Sequence, residues 1–292
     1  MKFTFYTPVS DVKENFGVAS FGLVGADDPT IPSAITVPFE INGTIVHGTY
    51  ESCLQQLQGH HYQVGIVFTG NTGGEDEFIR TLAKKFDIPL VGGGAAINPV
   101  SGEKARLYGE SEAAVCLISD DRYDFEVLCE NIHRKRLGTH RLGFTDPRVL
   151  ETIDGCDAVA WLREEKAKRG FPEMDFEHLT FADMNGVNAH LSAVDGKIHS
   201  GRNLEPQMEL RLLEPDTVQA QMQAFYDDPT AIVFGCAGLK GLLPKPLVTS
   251  SVGLFLFGEV CSTNGINTFG NLMLSKLRII PKQKSVCFVR GD

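Results

Sequence analysis

The chain has 292 residues and a formal net charge of -10, with 42% hydrophobic and 22% charged residues, which is a composition typical of globular proteins. The acidic balance argues against general binding to nucleic acid or to anionic membranes, because both need a basic surface. The length is sufficient for one large domain or two of ordinary size.

The cysteines and the apolar runs indicate the compartment. No apolar run approaches the roughly 20 residues that a membrane helix needs, and the start "MKFTFYTPVS" lacks the apolar centre of a secretory signal. The seven cysteines are scattered without CxxC spacing, so they do not predict a disulfide framework. We therefore expect a reduced, cytoplasmic protein.

In the first half, apolar strands alternate with helical patterns. The clearest helix is "EDEFIRTLAKKF" (75–86), where Phe78, Ile79, Leu82 and Phe86 share one side. Two apolar runs end in small polar or glycine residues, "VGIVFTGNTGG" (64–74) and "IPLVGGGAAINP" (88–99), and are predicted to contain strands. The remaining predictions are helices over 46–61 and 124–138 and a strand within 109–119.

The second half is predicted to contain more strands. An Asp-Gly pair favours a tight hairpin turn within 178–201, and Pro244 and Pro246 exclude a regular helix over 242–251. The other predicted elements are a mainly helical stretch over 147–170 broken near Gly155, strands at 208–213, 230–241, 252–265 and 270–280, and a helix over 217–228.

The two halves repeat the same order of blocks. A shift of 166 residues aligns "VGIVFTGN" with "TAIVFGCA" and "IPLVGGGAA" with "LFLFGEVCS", and a third strand follows each pair. This alignment places Ile66 on Ile232, Gly92 on Gly258, Gly93 on Glu259 and Asn98 on Asn264. We therefore predict an α/β (α+β) fold of two duplicated halves, residues 1–145 and 146–292, with mixed sheets, helices and a ligand cleft between the halves.

The second half resembles the C-terminal part of the FIST domain, a bacterial sensory domain. The matching positions are an apolar strand ending in Cys-Ala-Gly (236–238), Gly258-Glu259 after the next strand, and Asn271 before the last strand. The first half resembles the family's N-terminal part through "VGIVFTGN" and "IPLVGGGAA". The sequence departs from the pattern at Leu239, where the family has arginine, at Cys261-Ser262, where it has Gly-Pro, and in its short connector.

The resemblance implies a protein that binds a small ligand, with amino acids as candidates, on behalf of signalling proteins. Some members of the family are associated with haem. The lost arginine puts an anionic ligand held at that position in doubt, because arginine is a rigid bidentate anion holder.

Glu259 raises the central question, because a carboxyl group after an apolar strand must find a polar partner. The structural alternatives are capping of backbone amides and an ion pair with Arg202 or Arg211. The functional alternative is contact with a ligand in a pocket at the strand ends. The predicted ligand-binding residues are Asn71, Thr72, Gly93, Gly94, Asn98, Cys236, Gly238, Glu259, Cys261, Asn264 and Asn271.

We predict that Cys236 is a small buried residue that is not bonded to another cysteine. The two alternatives are a nucleophile that His199 would activate and one member of a redox-labile pair with Cys261. The histidines lack HxxxH or HExxH spacing, so the sequence predicts no metal site. It predicts no cofactor either, and haem held by His178, His190 or His199 has no support beyond the resemblance.

The leading functional prediction is a cytoplasmic sensory protein that binds a small molecule between its two halves. Its signal would pass through a separate signalling protein or through self-association. The alternative is an enzyme on the same scaffold that uses Cys236 or Glu259 as nucleophile or general base. A third hypothesis is a structural protein in which Glu259 forms a salt bridge. Fold alone does not separate these hypotheses.

Overall fold

A computed structural model describes residues 2–6, 16–18, 23–24, 34–59, 61–70, 74–94, 112–173, 178–242 and 250–282. Up to residue 131 the elements are β1 (Lys2–Tyr6), β2 (Phe16–Val18), β3 (Leu23–Val24), β4 (Ala34–Glu40), β5 (Gly43–Gly48), α1 (Tyr50–Gln56), β6 (Val64–Thr69), α2 (Glu75–Phe86), β7 (Leu90–Gly94), β8 (Ala113–Ile118) and β9 (Tyr123–Asn131).

Residues 132–214, here called the middle region, contain β10 (Lys135–Gly143), β11 (Val149–Leu150), β12 (Thr152–Ile153), β13 (Cys156–Asp157), α3 (Ala158–Lys168), β14 (Leu179–Ala182), β15 (Asn188–Ala189), β16 (Leu191–Val194), β17 (Lys197–Ser200) and β18 (Gln207–Leu212). The remainder contains α4 (Pro215–Tyr226), β19 (Ala231–Cys236), a 3-10 helix (Ala237–Leu242), β20 (Val252–Leu256), β21 (Glu259–Thr263), β22 (Ile266–Gly270) and β23 (Met273–Pro281).

Two mixed sheets form the centre of the molecule. The first sheet has the strand order β22-β21-β7-β6-β8-β5, and the second has β2-β20-β19-β23-β9. Their facing sides bury one apolar core, in which the Phe68 and Phe234 rings meet edge to face with centroids 6.0 Å apart. Helices α1 and α2 cover the outer face of the first sheet, and α4 with the 3-10 helix covers that of the second. The fold is therefore a mixed α/β fold in which two stacked sheets lie between helical layers.

Four strands of each sheet have the same order and directions. In β7-β6-β8-β5 and in β20-β19-β23-β9, the first pair is parallel and the next two pairs are antiparallel. A duplication of the chain, which stays a prediction, would produce this shared order.

The residue equivalence drawn from the 166-residue shift is wrong for the second strand of each half. Val67 pairs with Gly92 in the first sheet, whereas its counterpart Val233 pairs with Gly253 in the second. Gly92 therefore corresponds in register to Gly253 rather than to Gly258. The segment that begins at Gly258 instead pairs with β7 itself, with Glu259 opposite Gly93 and Val260 opposite Gly92.

Both sheets draw strands from either side of residue 145. The first sheet includes β21 and β22, and the second includes β2 and β9. The predicted division at 145/146 therefore does not separate the sheets. The middle region forms its own antiparallel sheets, β13-β12-β10-β18-β14-β15 and β11-β17-β16, with their own apolar core.

Three local predictions are corrected. The predicted helix over 124–138 is wrong, because the stretch forms β9 and β10. In β9, Phe125, Val127 and Cys129 alternate with acidic residues or Leu128, which is the period of two expected of a strand. The acidic residues and leucine are also common in helices, so this alternation was not recognised. Residues 147–157 form short strands before α3 begins, and β5 replaces the start of the predicted 46–61 helix. The Asp-Gly turn is confirmed, since Asp195 and Gly196 have φ of 50° and 74° between β16 and β17.

Gly93 gives a test of how closely the chain packs where β21 meets β7. A Cβ added there would lie 2.1 Å from the Gly258 carbonyl oxygen. Because this oxygen belongs to the backbone, a change of side-chain rotamer does not relieve the clash. We expect Gly93→Ala to lower the free energy of unfolding by about 1–3 kcal/mol, the usual cost of overpacking, as measured by urea denaturation. Gly59→Ala is the matched control, since a Cβ at Gly59 meets no atom within 4 Å. Equal stabilities for the two variants would contradict the close approach.

Candidate functional site

The chain passes from the second sheet to the first immediately before Glu259. Strand β20 ends at Leu256, and β21 begins at Glu259 beside β7. The Phe257 N–H donates to the Gly94 carbonyl, and the Gly94 N–H donates to the Gly258 carbonyl, both over 2.9 Å. Gly258 has a φ of 91°, a conformation that favours glycine. Residues 257–258, the outgoing crossing between the two sheets, are therefore hydrogen-bonded to the carboxyl end of β7.

The chain returns to the second sheet through Asn271 and Leu272, between β22 and β23. The Asn271 N–H donates to the Asn188 carbonyl over 3.0 Å, and the Asn271 Oδ1 accepts from the His190 N–H over 3.1 Å. Leu272 has a φ of 53°, unusual for a residue with a side chain. The middle region therefore holds the return crossing in place.

Glu259 links the two crossings. Its side chain is 0% exposed, and its Oε2 accepts a hydrogen bond from the Met273 N–H over 3.1 Å. Met273 is the first residue of β23 after the return crossing. One role of Glu259 is therefore structural, because it satisfies a buried backbone donor at the point where the return crossing meets β23. Neither arginine proposed as its ion-pair partner serves it, since Arg202 pairs with Asp183 and Arg211 with Glu209.

The other carboxyl oxygen of Glu259, Oε1, has no partner at ordinary hydrogen-bond geometry among the described residues. Burial raises the pKa of Glu259 well above its ordinary value, although the Met273 N–H and the Cys236 thiol favour the charged form. The carboxyl group therefore stays neutral to higher pH than that of an exposed glutamate, and can donate as well as accept a hydrogen bond.

Cys236 lies next to Glu259 at the end of β19. It is 7% exposed and not bonded to another cysteine, which confirms the prediction of a buried free thiol. Burial, and then the charge of Glu259, raise the pKa of the Cys236 thiol. Among the described residues, no histidine is one of the groups that set this pKa, and His199 lies in the middle region on β17, opposite Val149 and Ser192. A buried thiol with a raised pKa is a poor nucleophile, so this geometry does not favour catalysis by Cys236.

Cys261 meets Cys129 rather than Cys236. It lies two residues after Glu259 on the same face of β21, and it is buried with Val187 and Met273. Burial, and then contact with the Cys129 thiol, raise the pKa of Cys261. Cys236 belongs to the apolar cluster on the helical side of the second sheet. The predicted pairing of Cys236 with Cys261 is therefore replaced by a neighbouring pair, Cys129 and Cys261.

The structure brings some of the predicted residues together and separates others. Gly93, Gly94, Cys236, Gly238, Cys261 and Asn271 lie around Glu259 and the two crossings. Asn264 does not, because it occupies the exposed turn at the far end of the β21–β22 hairpin, with a φ of 53°. Asn71, Thr72 and Asn98 lie outside the described residues. The bare backbone of Gly93 leaves no space for a ligand, since the Gly258 carbonyl fills it.

Sequence reasoning missed several residues close to Glu259 or Cys129. Cys129 contributes to the electrostatic surroundings of Glu259, and the alternation over 125–129 was the local signal for the strand on which Cys129 lies. Tyr226 is buried beside the same site, and burial followed by the charges of Glu259 and Cys236 raises its pKa. Ser275, opposite Cys129 on β23, is buried and its Oγ has no hydrogen-bond partner in the described part of the chain. No local motif marks these last two residues.

A separate groove of about 380 Å³ lies between the end of α2 and the turn of the β21–β22 hairpin. Its lining includes Arg80, Lys84, Ser262, Ile266 and Asn267. The Asn267 side chain accepts from the Leu90 N–H over 2.7 Å and donates to the Ile88 carbonyl over 3.2 Å. Asn267 therefore fixes the hairpin to β7 at a distance along the strand from Glu259.

Within the described ranges, no group of histidine, cysteine, aspartate and glutamate side chains converges in a way that could hold a metal ion. No helix in the same ranges has both the length and the apolar character needed to cross a membrane.

A scan of the chain against protein-family models finds no match, and a search among curated proteins finds none either. The resemblance to the FIST domain therefore stays a prediction that rests on the residues quoted for it.

The buried carboxyl group of Glu259 predicts a pH dependence of stability. Its folded pKa lies above the ordinary 4.5, so its stabilising contribution is fully present below pH 4.5 and is lost as the pH rises toward the folded pKa. We expect the free energy of unfolding of the wild type to fall relative to that of Glu259→Gln between pH 5 and the folded pKa. The difference should change by up to about 1.4 kcal/mol per pH unit.

Urea denaturation of both proteins across this pH range provides the measurement, and other titrating groups cancel in the comparison. Two parallel stability curves would show that Glu259 titrates as an ordinary exposed carboxyl group.

Proposed function

We propose that the protein is a cytoplasmic sensory protein that binds a small molecule carrying a hydrogen-bond donor, and that Glu259 receives this donor. The observation that carries the proposal is Oε1 of Glu259, which is buried and has no hydrogen-bond partner among the described residues. Leaving such an atom unsatisfied costs about 1–3 kcal/mol, and binding of a matching donor removes that cost.

The position of Glu259 in the fold supports the proposal. The parallel strands β6 and β7 of the first sheet end at the same edge of the molecule as β19 and β20 of the second, because Gly94 and Gly258 bond to each other there. Ligands of α/β proteins commonly bind at the carboxyl ends of parallel strands. Asn71, Thr72 and Asn98 follow β6 and β7 in the sequence and stay proposed ligand contacts.

The chemistry around Glu259 indicates the class of ligand. A carboxyl group suits an ammonium or hydroxyl group, and the surrounding apolar residues suit an apolar side chain or alkyl chain next to that group. Amino acids and related amines meet both conditions. The net charge of -10 favours such ligands over nucleic acid or anionic membranes as partners. The response to binding would pass to a separate signalling protein or act through self-association.

A thermal-shift screen of the full chain against amino acids and small amines tests the proposal, because a ligand selective for the native state raises the Tm. Calorimetry with any compound that raises the Tm then compares the wild type with Glu259→Gln. We expect the substitution to weaken binding roughly 5- to 150-fold, the equivalent of about 1–3 kcal/mol. Glutamine keeps the shape of the side chain and can still accept from the Met273 N–H.

Glu209→Gln is the matched control, because Glu209 lies on β18 and pairs with Arg211 within the middle region. This control should bind the ligand as the wild type does. Equal affinity in wild type and Glu259→Gln, or a screen in which no compound raises the Tm, would contradict the proposal.

A further inference from the structure

Two cysteines approach each other from different sheets. Cys129 lies on β9, the edge strand of the second sheet, and Cys261 lies on β21 of the first sheet. Strands β9 and β21 run close together where the two crossings bring the sheets into contact. The Cys129 side chain packs against the buried cluster of Val187, Cys261 and Met273, and the Cys129 thiol is close enough to raise the pKa of the Cys261 thiol.

The two thiols differ in their access to solvent. Cys261 is completely buried, whereas Cys129 is partly exposed. Of the two residues, Cys129 is therefore the one that a small oxidant in solvent meets first, and Cys261 lies behind it. An accessible thiol with a second thiol in contact is the arrangement of cysteines that oxidise reversibly.

We propose that Cys129 and Cys261 are a site of reversible oxidative modification, at which a peroxide drives formation of a disulfide between the two sheets. The proposal does not depend on the ligand site proposed for Glu259. It also fits a reducing compartment, where disulfides are transient rather than permanent.

The reaction has two balanced steps. The Cys129 thiolate attacks one oxygen of hydrogen peroxide, so that an S–O bond forms and the O–O bond breaks. The hydroxide that leaves takes up the proton that the thiol had released, and a sulfenic acid and one water result. The Cys261 sulfur then attacks the Cys129 sulfur, an S–S bond forms, and the hydroxyl group leaves with the thiol proton as a second water. Two thiols lose two electrons, and one peroxide is reduced to two waters. A dithiol reductant reverses the change by thiol–disulfide exchange.

The other described cysteines do not offer this arrangement. Cys53 and Cys116 are buried in the two apolar cores that line the first sheet, and Cys236 lies in the cluster beneath α4 and the 3-10 helix. Cys156 is exposed on β13 in the middle region. Cys156 therefore reports on general thiol oxidation, whereas Cys129 reports on formation of the bridge.

The test uses the full chain, first reduced and then treated with hydrogen peroxide. We expect the intact mass to fall by about 2 Da, and the thiols titrated after denaturation to fall from seven to five. Non-reducing digestion should yield one cross-linked peptide pair containing Cys129 and Cys261, and dithiothreitol should release it.

Variants separate the bridge from other oxidation. Cys156→Ser should form the cross-link as fully as the wild type. Cys261→Ser should lose it, and its Cys129 should instead accumulate sulfenic acid that a dimedone probe labels. Cross-links through other cysteines, or a Cys129 that stays reduced while Cys156 is oxidised, would overturn the proposal.

Discussion

The hydrogen bond from the Met273 N–H to Glu259 links the two points at which the chain changes sheets. The hairpin of β21 and β22 leaves the second sheet after Leu256, extends the first sheet, and returns before Met273. Each crossing interrupts a ladder of backbone hydrogen bonds, and unpaired backbone donors are costly inside a protein. A buried carboxyl group satisfies one of these donors, at the cost of removing its own second oxygen from water.

Close approach of the backbone makes this arrangement feasible. Gly93 has no side chain between β7 and the outgoing crossing, so the Gly258 carbonyl lies where a Cβ would otherwise stand. The middle region closes the return crossing from the other side through Asn188 and His190. Arg202 adds a further link, donating to Asp183 within the middle region and to the Thr268 hydroxyl on β22. Glu259 is therefore fixed by three parts of the chain that are distant in sequence.

The fixed position of Glu259 also affects the acid–base properties of the groups around it. Two buried thiols, those of Cys236 and Cys261, lie near the buried carboxyl group of Glu259. Burial raises the pKa of Glu259 and of the Cys236 thiol, so this pair suits hydrogen bonding better than nucleophilic attack. The same crowding places Cys129 and Cys261 in contact across two sheets, so that an event at the partly exposed thiol can reach the buried one.

The sequence by itself determined the mixed α/β class, helix α2, the apolar strands that end in small residues, the Asp195-Gly196 turn and the burial of Cys236. These features follow from local periodicity, turn chemistry and apolar content, which act over a few residues. The local pattern predicted the wrong element at β9, where the alternation was hidden among helix-forming residue types.

Only the tertiary structure decided that Gly258-Glu259 pairs with β7, whereas the repeat had made Gly258-Glu259 the counterpart of Gly92-Gly93 in β7. Only the tertiary structure decided that Asn264 lies far from Glu259. It also decided that Met273 and Cys129 are the neighbours of Glu259 and Cys261. Contacts between distant segments depend on strand register and chain crossings, and short stretches of sequence do not encode these.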